Sequence, residues 1–166
     1  MKDKIIYIFL DIDGVLDNED YWWECFNRHH VKGIMSCDNW PLDPKCLLNL
    51  MLLYQYIEQK GYEPKIILSS SWRLGEISTA IVNCRLAEYG MRVYDKTTNE
   101  VDNRGNQIQL YLENYNKYKG YLILDDEIND ITPYHSIENI IHTTFKTGFD
   151  DVCLIEAKQK VNEIIN

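Results

Sequence analysis

KIIYIFLDIDGVL, residues 4 to 16, is an apolar run that stops at two carboxylates one residue apart, Asp11 and Asp13, with Gly14 directly after them. Its continuous Ile, Leu and Phe content reads as a strand buried on both faces, as in a parallel α/β sheet. Carboxylates at the end of such a strand are expensive to desolvate unless something compensates them. A bound cation does so directly. Hard oxygen donors of this kind suit Mg²⁺, which takes one or two carboxylates and keeps its other positions for water and phosphate. Gly14 then allows a tight turn and a close approach of a ligand to the backbone. The competing interpretation is an ordinary Asp-Gly turn after an ordinary strand.

Two further apolar runs end in the same way. Lys65-Ile66-Ile67-Leu68 stops at Ser69-Ser70-Ser71-Trp72-Arg73, and Tyr121-Leu122-Ile123-Leu124 runs into Asp125-Asp126-Glu127, with Asp130 shortly beyond. Helical patterns lie between these runs. Asp43-Pro44 is an N-cap followed by proline at the first helical position, and Leu47, Leu48, Leu50, Met51 and Tyr54 follow as a broad apolar face up to Gly61. Ile77, Ile81, Val82, Cys84 and Leu86 repeat at helical spacing up to Gly90, ahead of a short strand at Met91-Arg92-Val93-Tyr94. A further helix carries Ile108, Leu110, Tyr111 and Leu112, Ile137 to Ile141 reads as a strand, and Asp151 to Ile165 as a helix with Val152, Leu154, Ile155, Val161 and Ile164 on its apolar side. The alternation predicts a parallel sheet with helices on both faces. Ligands of such folds bind outside the carboxyl ends of the strands, so Asp-x-Asp, Ser-Ser-Ser and Asp-Asp converge on one site.

The chain has 166 residues, the span of one domain with a real core. A net charge of −9 disfavours the sequence-independent attraction to nucleic acid that a basic surface provides. Five cysteines, Cys25, Cys37, Cys46, Cys84 and Cys153, form no CxxC pair, which argues against a disulfide framework and for a reducing, cytoplasmic setting. The first apolar stretch is short for a signal-peptide core and is cut by Asp11, and no run is long enough to span a bilayer. Neither a membrane nor an obligate protein partner is expected.

Asp11-Ile12-Asp13-Gly14-Val15-Leu16 resembles motif I of the haloacid dehalogenase (HAD) superfamily. A serine of Ser69-Ser70-Ser71 resembles its motif II, and Leu124-Asp125-Asp126 its acidic motif IV. The resemblance runs from Ile5 to at least Asp130. Ser-Ser-Trp-Arg, with a later Arg-Gly and Leu-Asp-Asp, is similar to the compact HAD domains associated with RNA-repair proteins.

That resemblance implies a three-layer Rossmann-like α/β domain over residues 1–166, with no full cap domain. It implies a phosphatase in which Asp11 forms an aspartyl-phosphate and Asp13 is the general acid, then the base that activates water. Dehalogenation is disfavoured by the presence of Asp13. Mg²⁺ would be held by the Asp11 carboxylate, the Asp13 backbone carbonyl and Asp125, with Asp126 acting through a bound water and Asp130 as an alternate. Ser70 is favoured over Ser69 as the serine that binds a phosphate oxygen. The family also needs a cation against the charge between nucleophile and phosphoryl group. With no clear motif III lysine, Arg104 is the candidate, while Lys96, Lys117 and Lys119 read as solvated. Arg73 is either a substrate contact or a cap on its own turn.

The insert at about 17–41 holds Tyr21-Trp22-Trp23, Phe26, His29-His30 and Trp40, and reads as a short aromatic-rich flap. Its aromatics either pack the flap onto the core, the favoured reading, or stack on a nucleobase. Cys25, His29, His30 and Cys37 match no standard zinc spacing. The substrate expected is a phosphorylated small molecule, such as a nucleotide, or a nucleic-acid end. The alternative is a non-catalytic phosphate- and metal-binding module, motivated by the missing lysine.

Overall fold

A computed structural model describes residues 4–32 and 42–166, with side chains at all of these except 28–32. In chain order the elements are β1 (Ile5–Leu10), α1 (Glu19–Lys32), α2 (Pro44–Gln59), β2 (Glu63–Leu68), a 3₁₀ turn (Ser71–Leu74), α3 (Glu76–Ala87), β3 (Val93–Lys96), α4 (Arg104–Asn114), β4 (Gly120–Asp125), another 3₁₀ turn (Ile137–Asn139), β5 (Ile140–His142) and α5 (Asp151–Ile165). Among the described residues, five strands form one sheet in the order β3-β2-β1-β4-β5, parallel at every pairing.

The chain builds outward from β1 in one direction through β2 and β3, then returns to the other side of β1 for β4 and β5. Parallel connections keep one hand, so reversing direction moves the crossover helix to the opposite face. Side chains of α2, α3 and α5, such as Leu50, Val82 and Leu154, share a core with alternate residues Ile6, Ile8 and Leu10 of β1. The other face carries Tyr7 and Phe9 of β1 against Ile108, Tyr111 and Leu112 of α4. Helices thus cover both faces, as the three-layer α/β reading expects. The switch in strand order lies between β1 and β4, which is where such folds open a crevice for ligands.

Local signals set most boundaries. The Asp43 carboxylate accepts a hydrogen bond from Lys45 N, with Pro44 opening α2, and Asp150 caps α5 through Val152 N and Cys153 N. Some readings need correction. The run Ile137 to Ile141 is a strand only from Ile140, because the Ser136 side chain accepts from Glu138 N and bends the preceding residues into a 3₁₀ turn. The third strand is Val93–Lys96, two residues later than its apolar content suggests. In α5 the sheet-facing residues are Leu154, Ala157 and Val161, while Val152 and Ile155 are exposed. Exposure likewise corrects Leu48 of α2 and Ile77 and Cys84 of α3.

Residues 19–32 of the insert form α1; 33–41, with Cys37 and Trp40, and the side chains of His29 and His30 lie outside the described residues. Trp22, Trp23 and Phe26 do not join the core. They pack on one another, with Trp22 and Phe26 stacked at 5.5 Å and 12°, and stay exposed. No described helix is long and apolar enough to cross a membrane.

One buried histidine gives the fold a pH dependence. His135 Nε2 lies 2.9 Å from Gly105 O, and Nδ1 lies 3.1 Å from the Tyr121 hydroxyl. A carbonyl only accepts, so Nε2 carries the proton and Nδ1 accepts from Tyr121. Burial lowers the His135 pKa below its ordinary value. The unfolded chain therefore binds the proton more readily, and this contribution is intact above about pH 6.5 and is lost as pH falls from there through the folded-state value. In urea unfolding, the stability advantage of the wild type over His135→Phe should shrink between pH 7.5 and 5.5; an equal advantage at both would disprove it.

Candidate active site

Hydrogen bonding continues one residue past the strand ends. Asp11 N donates to Leu124 O at 3.0 Å, Ser69 N to Leu10 O at 3.0 Å, Thr97 N to Leu68 O at 3.1 Å and Thr143 N to Asp125 O at 3.0 Å. The parallel register consequently sets Thr97, Ser69, Asp11 and Asp125 side by side along the carboxyl edge of the sheet. All four are buried. Asp11 and Asp125 flank the switch in strand order, and one oxygen each from Asp11, Asp125 and Asp126 lies within 4.8 Å of the others.

The cation among these carboxylates is Arg104, in the first turn of α4. Its Nη1 reaches Asp11 Oδ2 at 3.1 Å and Asp125 Oδ2 at 2.5 Å. The Asn103 side chain accepts from Asn106 N and starts the helix, and Arg104 N donates to Asp130 Oδ2 at 3.0 Å. Asp130 thereby anchors the start of α4, and the grouped carboxylates are Asp11, Asp125 and Asp126.

One guanidinium does not offset three carboxylates. Burial, followed by repulsion from Asp11, pushes the Asp125 pKa up to about 7 against the pull of Arg104. Burial also raises Asp11, with Arg104 and to a smaller degree the nearby Ser70 hydroxyl pulling the other way. Asp126 is raised by burial and by Asp11. Burial opposes the charge of Arg104, yet Asp11 and Asp125 outweigh it and hold its pKa above the usual range.

Asp11 Oδ1 is buried and makes no hydrogen bond. A buried anionic oxygen without a donor, beside two more carboxylates, fits a hard divalent cation. The cluster could hold such an ion through Asp11, Asp125 and Asp126. Gly14, at φ +71°, packs so that a Cβ would stand 2.3 Å from Asp126 Cγ. The glycine therefore makes room for a carboxylate of the cluster, where the sequence suggested room for a ligand. Its carbonyl accepts from Thr143 Oγ1 at 2.7 Å and its N–H donates to Asp17 Oδ1 at 3.0 Å, which holds the loop after β1.

The Asp13 carboxylate has a different partner. Trp72 Nε1 donates to both of its oxygens at 3.1 Å. Sequence reasoning missed this role of Trp72; the only available signal was its place two residues after Ser70. Ser70 Oγ accepts from Trp72 N at 3.4 Å, and Ser69 Oγ is buried with no partner.

Arg73 sits where the strand-end loops meet α4. Its guanidinium donates to the carbonyls of Ser69, Ser70, Thr97 and Thr98 and to Gln107 Oε1 at 2.7 Å, so it clamps the strand-end loops to α4. Lys96 Nζ is also engaged, with Arg73 O and Thr79 Oγ1.

Searches of curated proteins and of solved structures return no match to this chain. A family model does match, that of the HAD domain in Swiss Army Knife RNA repair proteins, over residues 7–153. The matched span begins inside β1 and ends in the first turn of α5, and so includes Asp11, Ser70, Arg104 and Asp125 together with the whole sheet edge that carries them; the chain belongs to this family of HAD domains.

Proposed function

We propose that this domain is a Mg²⁺-dependent phosphomonoesterase that works through an aspartyl-phosphate on Asp11. The observation that carries this reading is the contact of Arg104 with both Asp11 and Asp125 at the switch in strand order. Sequence motifs offered Arg104 only as the candidate cation, and the missing motif III lysine was the main support for a non-catalytic module. Arg104 supplies a cation where a phosphoryl group would meet Asp11.

Asp11, Asp125 and Asp126 would hold Mg²⁺, with the Asp13 backbone carbonyl as a further oxygen donor; the ion would neutralise charge on the phosphoryl oxygens. An Asp11 oxygen attacks phosphorus, and the bond from phosphorus to the leaving oxygen breaks. Asp13 gives its proton to that oxygen. Asp13 then takes a proton from a water that attacks phosphorus, and the Asp11–phosphorus bond breaks to release inorganic phosphate. Ser70, which accepts from Trp72 N and has its hydroxyl beside Asp11, would turn that hydroxyl to a phosphoryl oxygen, with Ser69 beside it. Arg104, which contacts Asp11, would offset the negative charge brought together where the carboxylate meets the phosphoryl group.

Substrates consistent with this site are a phosphorylated small molecule, such as a nucleotide, or a nucleic-acid end. The test is hydrolysis of a panel of phosphomonoesters by the purified chain, with Mg²⁺ and with EDTA. Activity should require the metal. Equal rates in EDTA would rule out the metal-assisted route, and no turnover on any member would favour the binding module.

A further inference from the structure

Beyond the acidic cluster, a cavity of about 710 Å³ opens along the first 3₁₀ turn and α3, lined by Trp72, Glu76, Ile77 and Ile81 among others. Most of its surface is apolar, and Ile77 is 80% exposed there. Trp72 links it to the chemistry: the side chain whose indole N–H is hydrogen-bonded to both Asp13 oxygens also forms part of the cavity wall. Asp13 touches the leaving oxygen in the hydrolytic reading. In that reading the group attached to the leaving oxygen departs on the side of Asp13, the residue that Trp72 contacts.

We propose that this cavity receives the leaving group of the substrate, and that the group is neutral, flat-faced and about the size of a nucleoside. An indole and two isoleucines favour a planar apolar face. The one charged residue among those lining the cavity is Glu76, which repels a second phosphate and selects against a polyanionic leaving group. This inference rests on the hydrolytic reading and adds to it a substrate class.

The experiment compares 1-naphthyl phosphate with glycerol phosphate in the wild type and in Ile77→Asp. Ile77 is exposed in the first turn of α3, where an aspartate suits the helix terminus, so the variant should fold. The ratio of kcat/KM for naphthyl over glycerol phosphate should fall at least about tenfold in the variant, chiefly through KM for the naphthyl ester. The wild type should also prefer naphthyl phosphate to a phosphorylated oligonucleotide. An unchanged ratio, or preference for the oligonucleotide, would overturn the cavity assignment and leave the phosphatase standing. Failure of the wild type to hydrolyse any of the three would remove the phosphatase reading and this assignment with it.

Discussion

Asp11→Asn should reduce phosphomonoester hydrolysis by at least about 10³-fold while leaving the domain folded, with a thermal midpoint equal to or above that of the wild type. The amide is nearly isosteric with the carboxylate but is a far weaker nucleophile, so no covalent intermediate would form at a useful rate. The effect on stability runs in the opposite direction for an electrostatic reason. Asp11 is buried near Asp125 and Asp126, with Arg104 as the nearest guanidinium. Removing its charge leaves Arg104 paired with Asp125 and lowers the repulsion that helps raise the pKa of Asp125 and of Asp126. Initial rates with 1-naphthyl phosphate and a thermal melt in EDTA measure the two halves separately. Full activity in the variant would assign the nucleophile to another group, and a marked fall in the melting temperature would show that Asp11 holds the fold together.

Arg104→Met should act on both properties in the same direction. The substitution keeps an unbranched apolar stem but leaves Asp11, Asp125 and Asp126 without their guanidinium partner. Breaking a buried pair by removing one member strands the other charge, and a loss of about 3 kcal/mol is expected in urea unfolding without metal. Mg²⁺ should restore more stability to the variant than it adds to the wild type, because it replaces the missing positive charge among the same carboxylates. Activity should fall by about 10²-fold even with saturating metal, as when a preorganised donor to the transition state is removed. A variant as stable as the wild type in EDTA would mean that the three carboxylates are neutralised by protonation alone.

Much of the fold was legible in the chain because its signals are local. Apolar runs ending abruptly in Asp11, Ser69 and Asp125 marked three strands and their carboxyl ends, and Asp43-Pro44 marked the start of α2. Alternation of strand and helix then implied a parallel sheet, whose register aligns those ends. Periodicity was less reliable at the surface. Val152 and Ile155 are spaced like core residues, yet they point away from the sheet; an apolar pattern names a helix but not which part of a wide stripe meets the sheet. The Trp22, Trp23 and Phe26 group shows the same limit, since nearby aromatics can satisfy one another without reaching the core.

Side-chain partners across long separations were the least legible. Arg73 and Arg104 are both arginines near strand-end motifs, and nothing local distinguishes the clamp from the cation of the site. The difference is in what surrounds them: loop carbonyls and Gln107 for Arg73, Asp11 and Asp125 for Arg104. Trp72 finds Asp13 only because β1 and β2 are neighbours in the sheet. The sequence by itself determined the elements, the parallel α/β class and the carboxylates at two strand ends, because strand burial, helix caps and residue chemistry are encoded over a few positions. The tertiary structure alone decided that Arg104 joins Asp11 to Asp125, that Trp72 holds Asp13, that Asp130 anchors α4 and that Gly14 makes room for Asp126, because each depends on sheet order and register bringing distant segments to one edge.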